Sequence, residues 1–451
     1  MAKRPKSAKR SKSAKRASSK KPTSVEIRTF QVGFGDCFLL TFVYGAGDKR
    51  HVLIDFGTTG LPKRLGTPKT HMPVVANEIK KVCDNAGLTA VVATHRHADH
   101  INGFGTEGRT GKSGAVIASL KPKLVLQPWT EDPKARTNAK KATADSSRSR
   151  KSFVAGLTAM NNVAANIASI AKHPPAWMST ALAAQLRFLG ESGIANPSAV
   201  NNLIAMGKRK GATAVWAHHG SKSGLEKLLP GVKVHVLGPP DLTQSEKIRK
   251  QTSRDPDQFW RLLSGTAAMN GNPLSTGFAW SANGKKNRVP PAGRWFRDRL
   301  EQLNGQQLLE IVRTLDQQMN NTSVILLFEV FGKKLLFPGD AQIENWTYAF
   351  EDAPDAARTR ALLADVDVYK VGHHGSLNAT PKKALWERFR KRNKGLKTLL
   401  STMPGKHGNP KSRTEVPRKT LLTELENDST LQTTTSLKKK TDLFHLLTLK
   451  A

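Results

Sequence analysis

Four side chains able to hold a metal ion fall within six residues, His95, His97, Asp99 and His100, in the order His-Arg-His-Ala-Asp-His. Imidazole nitrogen and carboxylate oxygen are good donors for zinc and related divalent ions. The segment leaves the apolar run LTAVVAT, which reads as a buried strand, so His95 and His97 can turn from a strand end toward one ion. Asp99 and His100, further along the loop, can reach a second. The chemistry such a centre offers is hydrolysis. A divalent cation lowers the pKa of bound water from about 16 to about 7, and a second cation can stabilise the leaving oxygen.

Three later segments carry matching donors: LIDFG with Asp55, FPGDAQ with Asp340 and KVGHHGS with Lys370, His373 and His374. A second His-His-Gly-Ser stands at residues 218–221. Taken in this order, the pieces resemble the metallo-β-lactamase superfamily, especially its branch including the soluble hydrolase domain of DNA-uptake competence channel proteins. The similarity runs in pieces from Val25 to Glu424.

The resemblance implies an α+β fold, the αββα sandwich, here with two mainly helical insertions. It also implies that His95, His97, Asp99, His100, Asp340 and His374 hold one or two divalent ions, Zn2+ or alternatively Mn2+. In that set Asp340 is a metal-bridging carboxylate, and His374 is preferred over His373 because Gly-Ser follows it. Asp55 then orients the histidine loop, and His373 stands behind the ligands or faces substrate. Asp99 and Asp340 are the catalytic candidates, Asp99 also orienting the attacking hydroxide, while Lys370 or the Gly375-Ser376 backbone contacts an anionic substrate.

One departure matters. The superfamily carries another histidine between its second and fourth motifs, where this sequence has VHVLGPP with Pro239 and Pro240. Competence-type relatives resemble the chain there too, through an Asn-x-x-Ser element matched to Asn320, Asn321 and Ser323. His218 or His219 is an alternative ligand, unless the second His-His-Gly-Ser is a chance duplication. One-metal and two-metal versions both stay open.

The elements expected to position these groups follow from hydrophobic periodicity. Two β-rich runs flank Gly33-Phe34-Gly35-Asp36, and HVLIDFG follows at residues 51–57. A helix is expected from Val74 to Asp84, where Val75, Ile79 and Val82 recur at helical spacing. Further strands are expected at GATAVWA, VKVHVLGPP, the hairpin SVILLFEVFGKKLLFPGD and DVDVYKVG, with LKTLLST as the last. Residues 433–440 read as a polar connector. The expected organisation is a disordered basic arm at 1–22, a catalytic domain at 23–430 with insertions at 132–211 and 241–318, and a C-terminal extension at 431–451.

Composition narrows the partner and the compartment. The formal charge is +37, from 72 Lys and Arg against 35 Asp and Glu, and taking away the ten basic residues of the first 22 still leaves +27. Such an excess attracts polyanions. Nucleic acid, or another polyanion, is therefore the expected partner, and a phosphodiesterase or nuclease the leading activity. The alternatives are a hydrolase of a small anionic metabolite and a nucleic-acid-binding protein with a degenerate structural metal site.

Two cysteines, Cys37 and Cys83, make no disulfide framework, and no apolar stretch is long enough to span a membrane, so a cytoplasmic location is expected. An organelle transit peptide is the alternative reading of the Arg/Ser-rich start, against which its Lys clusters lack an amphipathic apolar face. Cys37 reads as core, the scattered tryptophans as packing residues, and His407 as an exposed loop residue outside the ligand set.

Overall fold

The structure is a computed structural model that describes residues 21–132, 196–241, 244, 319–376, 379–408, 410 and 415–451. Two sheets are built from strands whose alternate residues point to opposite faces. The first contains β1 (Ser24–Phe30), β2 (Cys37–Val43), β3 (Lys49–Phe56), β4 (Ala90–Val92), β5 (Leu124–Pro128) and β6 (Thr213–Ala217). The second contains β7 (Val232–Gly238), β8 (Ile325–Val330), β9 (Lys333–Phe337), β10 (Val368–Lys370), β11 (Lys397–Leu400) and β12 (Thr430–Thr433). A final strand, β13 (Phe444–Lys450), returns to the first sheet, whose order is β13-β1-β2-β3-β4-β5-β6; the second runs β12-β11-β10-β9-β8-β7.

Each sheet repeats one plan. In the first, β1, β2 and β3 are antiparallel neighbours and β3 to β6 are parallel; in the second, β7, β8 and β9 are antiparallel and β9 to β12 are parallel. The parallel strands of each half therefore end together, and the loops that leave them converge.

Both faces of each sheet are apolar because both are covered. Val52 and Ile54 of β3 meet Leu326 and Phe328 of β8 in a core between the sheets. Leu53, between them in sequence, points outward onto α1 (Pro68–Cys83), α3 (Ser113–Ser119) and α4 (Pro197–Lys208), through Val75, Ile79, Ile117 and Leu203. On the other side Leu327 packs with Trp346 of α5 (Ile343–Thr347), Leu363 of α6 (Ala356–Ala364) and Leu425 of α7 (Lys419–Asp428). This is the expected layer order of helices, sheet, sheet and helices.

Several boundaries differ from expectation. α1 starts at Pro68, six residues before Val74, because Thr67 and Thr70 form a reciprocal cap and Pro68 occupies the first turn, where its missing N–H costs nothing. The strands expected at GATAVWA and VKVHVLGPP are present but fall in different sheets, β6 at the edge of the first and β7 at the edge of the second. Of the expected insertions, residues 133–195 and almost all of 242–318 lie outside the described residues, as do residues 1–20 of the basic arm. The end of the first insertion is part of the domain, because α4 sets Ala199, Leu203 and Met206 against the outer core.

LKTLLST is not the last strand. β12 pairs with β11 beyond it, and β13, within the expected extension, pairs with β1 along seven residues from Ser24↔Lys450 to Phe30↔Phe444. The expected connector is tied down as well, since Gln31 donates to Thr434 O at 2.5 Å and Thr434 is buried. The period-two signal of FHLLTLK is one short run after the basic stretch KKKTD, which hides it. Cys37 and Cys83 are free, buried thiols. Among the described residues no helix is long and apolar enough to cross a membrane.

Candidate metal centre

The candidate side chains of the centre sit at the ends of strands or on the loops that leave them. β3 ends in a bulge, where Cys37 pairs with Phe56 and Phe38 with Ile54, and the extra residue is Asp55 in a left-handed conformation (φ 56°). That turn aims its carboxylate at the next strand's exit. Asp55 accepts from Thr94 N and Thr94 Oγ1, both at 2.7 Å, and from His100 Nδ1 at 2.8 Å.

The histidine loop folds into one short turn, α2 (Ala98–Ile101), against the backbone of Gly57. A methyl group at residue 57 would come within 2.5 Å of Ala98 O and His100 N. Only glycine lets the loop seat there. Arg96 anchors the other side through Glu131, with Nε at 2.8 Å.

From the second sheet, Asp340 follows β9 and takes a hydrogen bond on Oδ1 from the His373 amide at 3.1 Å. His373 and His374 follow β10, both left-handed at φ 44° and 53°. Such a conformation costs non-glycine residues about 1–3 kcal/mol and persists where the surroundings over-determine it.

These exits bring Asp99, His100, Asp340 and His374 together, all buried, with one potential ligand atom from each lying within 4.8 Å of the others. His100 Nε2 faces Asp340 Oδ2 at 3.0 Å, and His374 Nε2 faces Asp99 Oδ2 at 3.1 Å. The far nitrogen of each ring is held from behind, His100 Nδ1 by Asp55 and His374 Nδ1 by Ser401 O at 3.1 Å. Hydrogen bonding on one ring nitrogen fixes which lone pair is offered by the other. The group has the chemistry of a divalent-ion site, and Asp99 Oδ1 is buried with no hydrogen-bond partner among the described residues.

Electrostatics agree with that reading. Burial works against the carboxylates of Asp99 and Asp340, yet the surrounding histidines, joined at Asp340 by Lys370, hold both below the usual carboxylate range. Burial also works against a charged His374, but Asp36 and Asp340 lift it to about 10. His95 goes the other way. Burial, and then His100 and His97, push it well below the ordinary imidazole value, so it is a neutral donor.

His95 and His97 adjoin the cluster, with His95 Nε2 at 3.0 Å from His97 Nδ1 and the His95 and His100 ring centres 4.1 Å apart. His373 is partly exposed, with Nε2 3.8 Å from Asp340 Oδ2. His219 is engaged elsewhere, Nδ1 with Leu237 O at 2.9 Å and Nε2 with Asp355 at 2.7 Å, and His218 Nδ1 lies 2.9 Å from His219 O. Lys370 is not placed to meet a substrate. Its side chain is 2% exposed and its ammonium is bound by Asp36, Gly339 O and Asp340.

Two residues were missed in the sequence. Asp36, fully buried in the turn before β2, lies 2.5 Å from Lys370 Nζ, 3.4 Å from His374 Nδ1 and 3.7 Å from His100 Nδ1. His407 is not an exposed loop residue. Its ring packs on Phe34 at 4.0 Å, Phe34 packs on His374 at 4.4 Å, and burial pushes His407 down to about 3.

Comparison with known families bears directly on this geometry. The family model of the metallo-beta-lactamase superfamily matches residues 31–159, a span that holds Asp36, Asp55 and the whole histidine loop. That match supports membership of the metallo-beta-lactamase superfamily. Within that domain the matched span supplies the first sheet's share of the centre, and Asp340 and His374 arrive from the second sheet, beyond the match. Members of the superfamily are generally hydrolases. No curated protein matches the chain.

Proposed function

We propose that the protein is a metal-dependent phosphodiesterase acting on nucleic acid. The convergence of Asp99, His100, Asp340 and His374 in one buried group carries the metal-dependent part. The net charge of +37 supports a polyanionic substrate, since a phosphate backbone is attracted by just such an excess. The finer resemblance to the competence-channel hydrolase domain, through the segments NNTS and KVGHHGS, points the same way.

On this reading Asp99, His100, Asp340 and His374 hold a divalent ion, Zn2+ or Mn2+. When bound, the ion makes a water acidic enough to ionise near neutral pH and withdraws charge from a phosphoryl oxygen. The chain does the rest. Asp55 and the Ser401 carbonyl hold the two histidine rings in the tautomer that turns Nε2 inward. Asp99, kept ionised by its neighbours, orients the attacking oxygen through Oδ1. His95, being neutral, accepts a proton or adds a ligand, and the partly exposed His373 faces the incoming phosphate at the mouth.

Elemental analysis of the purified chain, with hydrolysis of bis-p-nitrophenyl phosphate and single-stranded DNA, tests this. The expected result is bound divalent metal, cleavage of both substrates, loss of cleavage in Asp340→Ala, and binding to DNA that weakens steeply with salt. Metal without phosphodiester cleavage removes the substrate class and leaves the superfamily. Salt-insensitive turnover of a small anion points to a metabolite instead.

A further inference from the structure

The ligand group is not the only set of donors here. Asp36, Asp55 and His100 also have potential ligand atoms within 4.8 Å of one another, so a second place of cation-binding composition adjoins the first and shares His100 with it. That place already has a positive charge beside it. The Lys370 ammonium lies 2.5 Å from Asp36 Oδ2, 3.4 Å from Asp340 Oδ1 and 2.9 Å from Gly339 O.

Lys370 closes β10 with its side chain 2% exposed, and Asp36 is completely buried. The ammonium is enclosed by two carboxylates, Asp36 and Asp340, and one carbonyl, Gly339 O. A buried carboxylate needs a counter-charge with good geometry, and Asp36 has one that cannot dissociate. On the other side of the centre, His95 Nε2 and His97 Nδ1 are already 3.0 Å apart, and Pro239 and Pro240 stand where a further histidine would be sought.

We propose that Lys370 is the built-in second cation of this centre: its ammonium serves Asp36 and Asp340 where a second metal ion otherwise would, so the protein binds one exchangeable divalent ion. The inference rests on the metal-centre reading above and deepens it by fixing the ion count. Lys370 is thus a positioning residue, acting through Asp340 and Asp36, and Asp36 in turn steadies the outer nitrogens of His374 and His100.

The test is a calorimetric titration of Mn2+ into the chelator-treated full chain, with the Mn2+ electron paramagnetic resonance spectrum of the loaded protein. Wild type and Lys370→Arg are expected to take up one ion with an uncoupled single-ion spectrum. Lys370→Ala is expected to take up two, giving a spin-coupled pair, and to return to one when methylammonium replaces the lost group. Two ions in the wild type, or one in Lys370→Ala regardless of methylammonium, overturns the proposal while leaving a metal hydrolase intact. Should Lys370→Ala not fold, the wild-type spectrum alone decides, since a coupled pair there refutes the proposal. A wild type that binds no ion sinks the hydrolase reading and this inference with it.

Discussion

The tetrapeptide His-His-Gly-Ser occurs at residues 218–221 and again at 373–376, each time just past a parallel strand. The first copy leaves β6, which ends its sheet; the second leaves β10, which lies between β9 and β11. In the first, the left-handed turn falls on Gly220 (φ 74°), where it is free of strain, and His219 settles between Leu237 O and Asp355. In the second, Gly375 is left-handed as well (φ 87°), but so are both histidines before it, and His374 is driven in among Asp36, Asp99 and Asp340. Identical donors thus meet different fates. What makes a metal site is carboxylates arriving from other strands, and a backbone strained enough to present an imidazole to them.

The sharpest way to break this comparison is to remove one histidine from each copy. His374→Ala is expected to lose bound metal and phosphodiester cleavage by at least about 100-fold, whereas His219→Ala keeps its metal and loses about 1–3 kcal/mol of stability from unpaired buried groups. Metal content, turnover and urea unfolding of the two variants decide it, and equal metal loss in both dissolves the distinction.

Next in size is a pH effect on the chelated protein. The folded His374 is held at about 10, against about 6.5 in an unfolded chain, so its stabilisation is complete below pH 6.5 and is lost as pH rises through 10. The difference amounts to roughly 4–5 kcal/mol. Thermal unfolding of the chelated chain should therefore weaken from pH 6.5 to 10, His374→Ala should flatten that slope, and His219→Ala should leave it in place.

The smallest contrast lies in the acids behind each pair. Asp36→Asn is expected to weaken metal binding by about 10- to 100-fold, while Asp355→Asn, whose carboxylate is partly exposed, costs under about 1 kcal/mol. Metal titration and denaturation curves of both variants measure this, and an Asp36→Asn protein with wild-type affinity would show that the outer nitrogen of His374 needs no carboxylate beside it.

Legibility in the sequence followed locality. The density of donors in residues 95–100 needed no knowledge of the fold, and the hairpin of β8 and β9 was readable because Phe331-Gly332-Lys333 separates two short apolar runs. Its two turn residues are left-handed, as a tight two-residue connection requires. Asp36 was illegible for the opposite reason. A single acid beside glycines looks like any turn, and its partners, Lys370 and His374, are far along the chain. Lys370 was visible as a charge next to the site, but only packing reveals that it points inward. β13 went unread because its pairing is with β1, at the other end of the described chain.

That last pairing governs when this sheet can be completed. β1 lies between β2 and β13, and Ala451 N reaches back to Thr23 O at 3.0 Å. Until residues 444–450 have been synthesised, one edge of β1 is an unpaired row of amides and carbonyls on an otherwise formed sheet, the kind of edge that recruits strands from other chains. Among the described strands, the one latest in the sequence covers the open edge of the earliest.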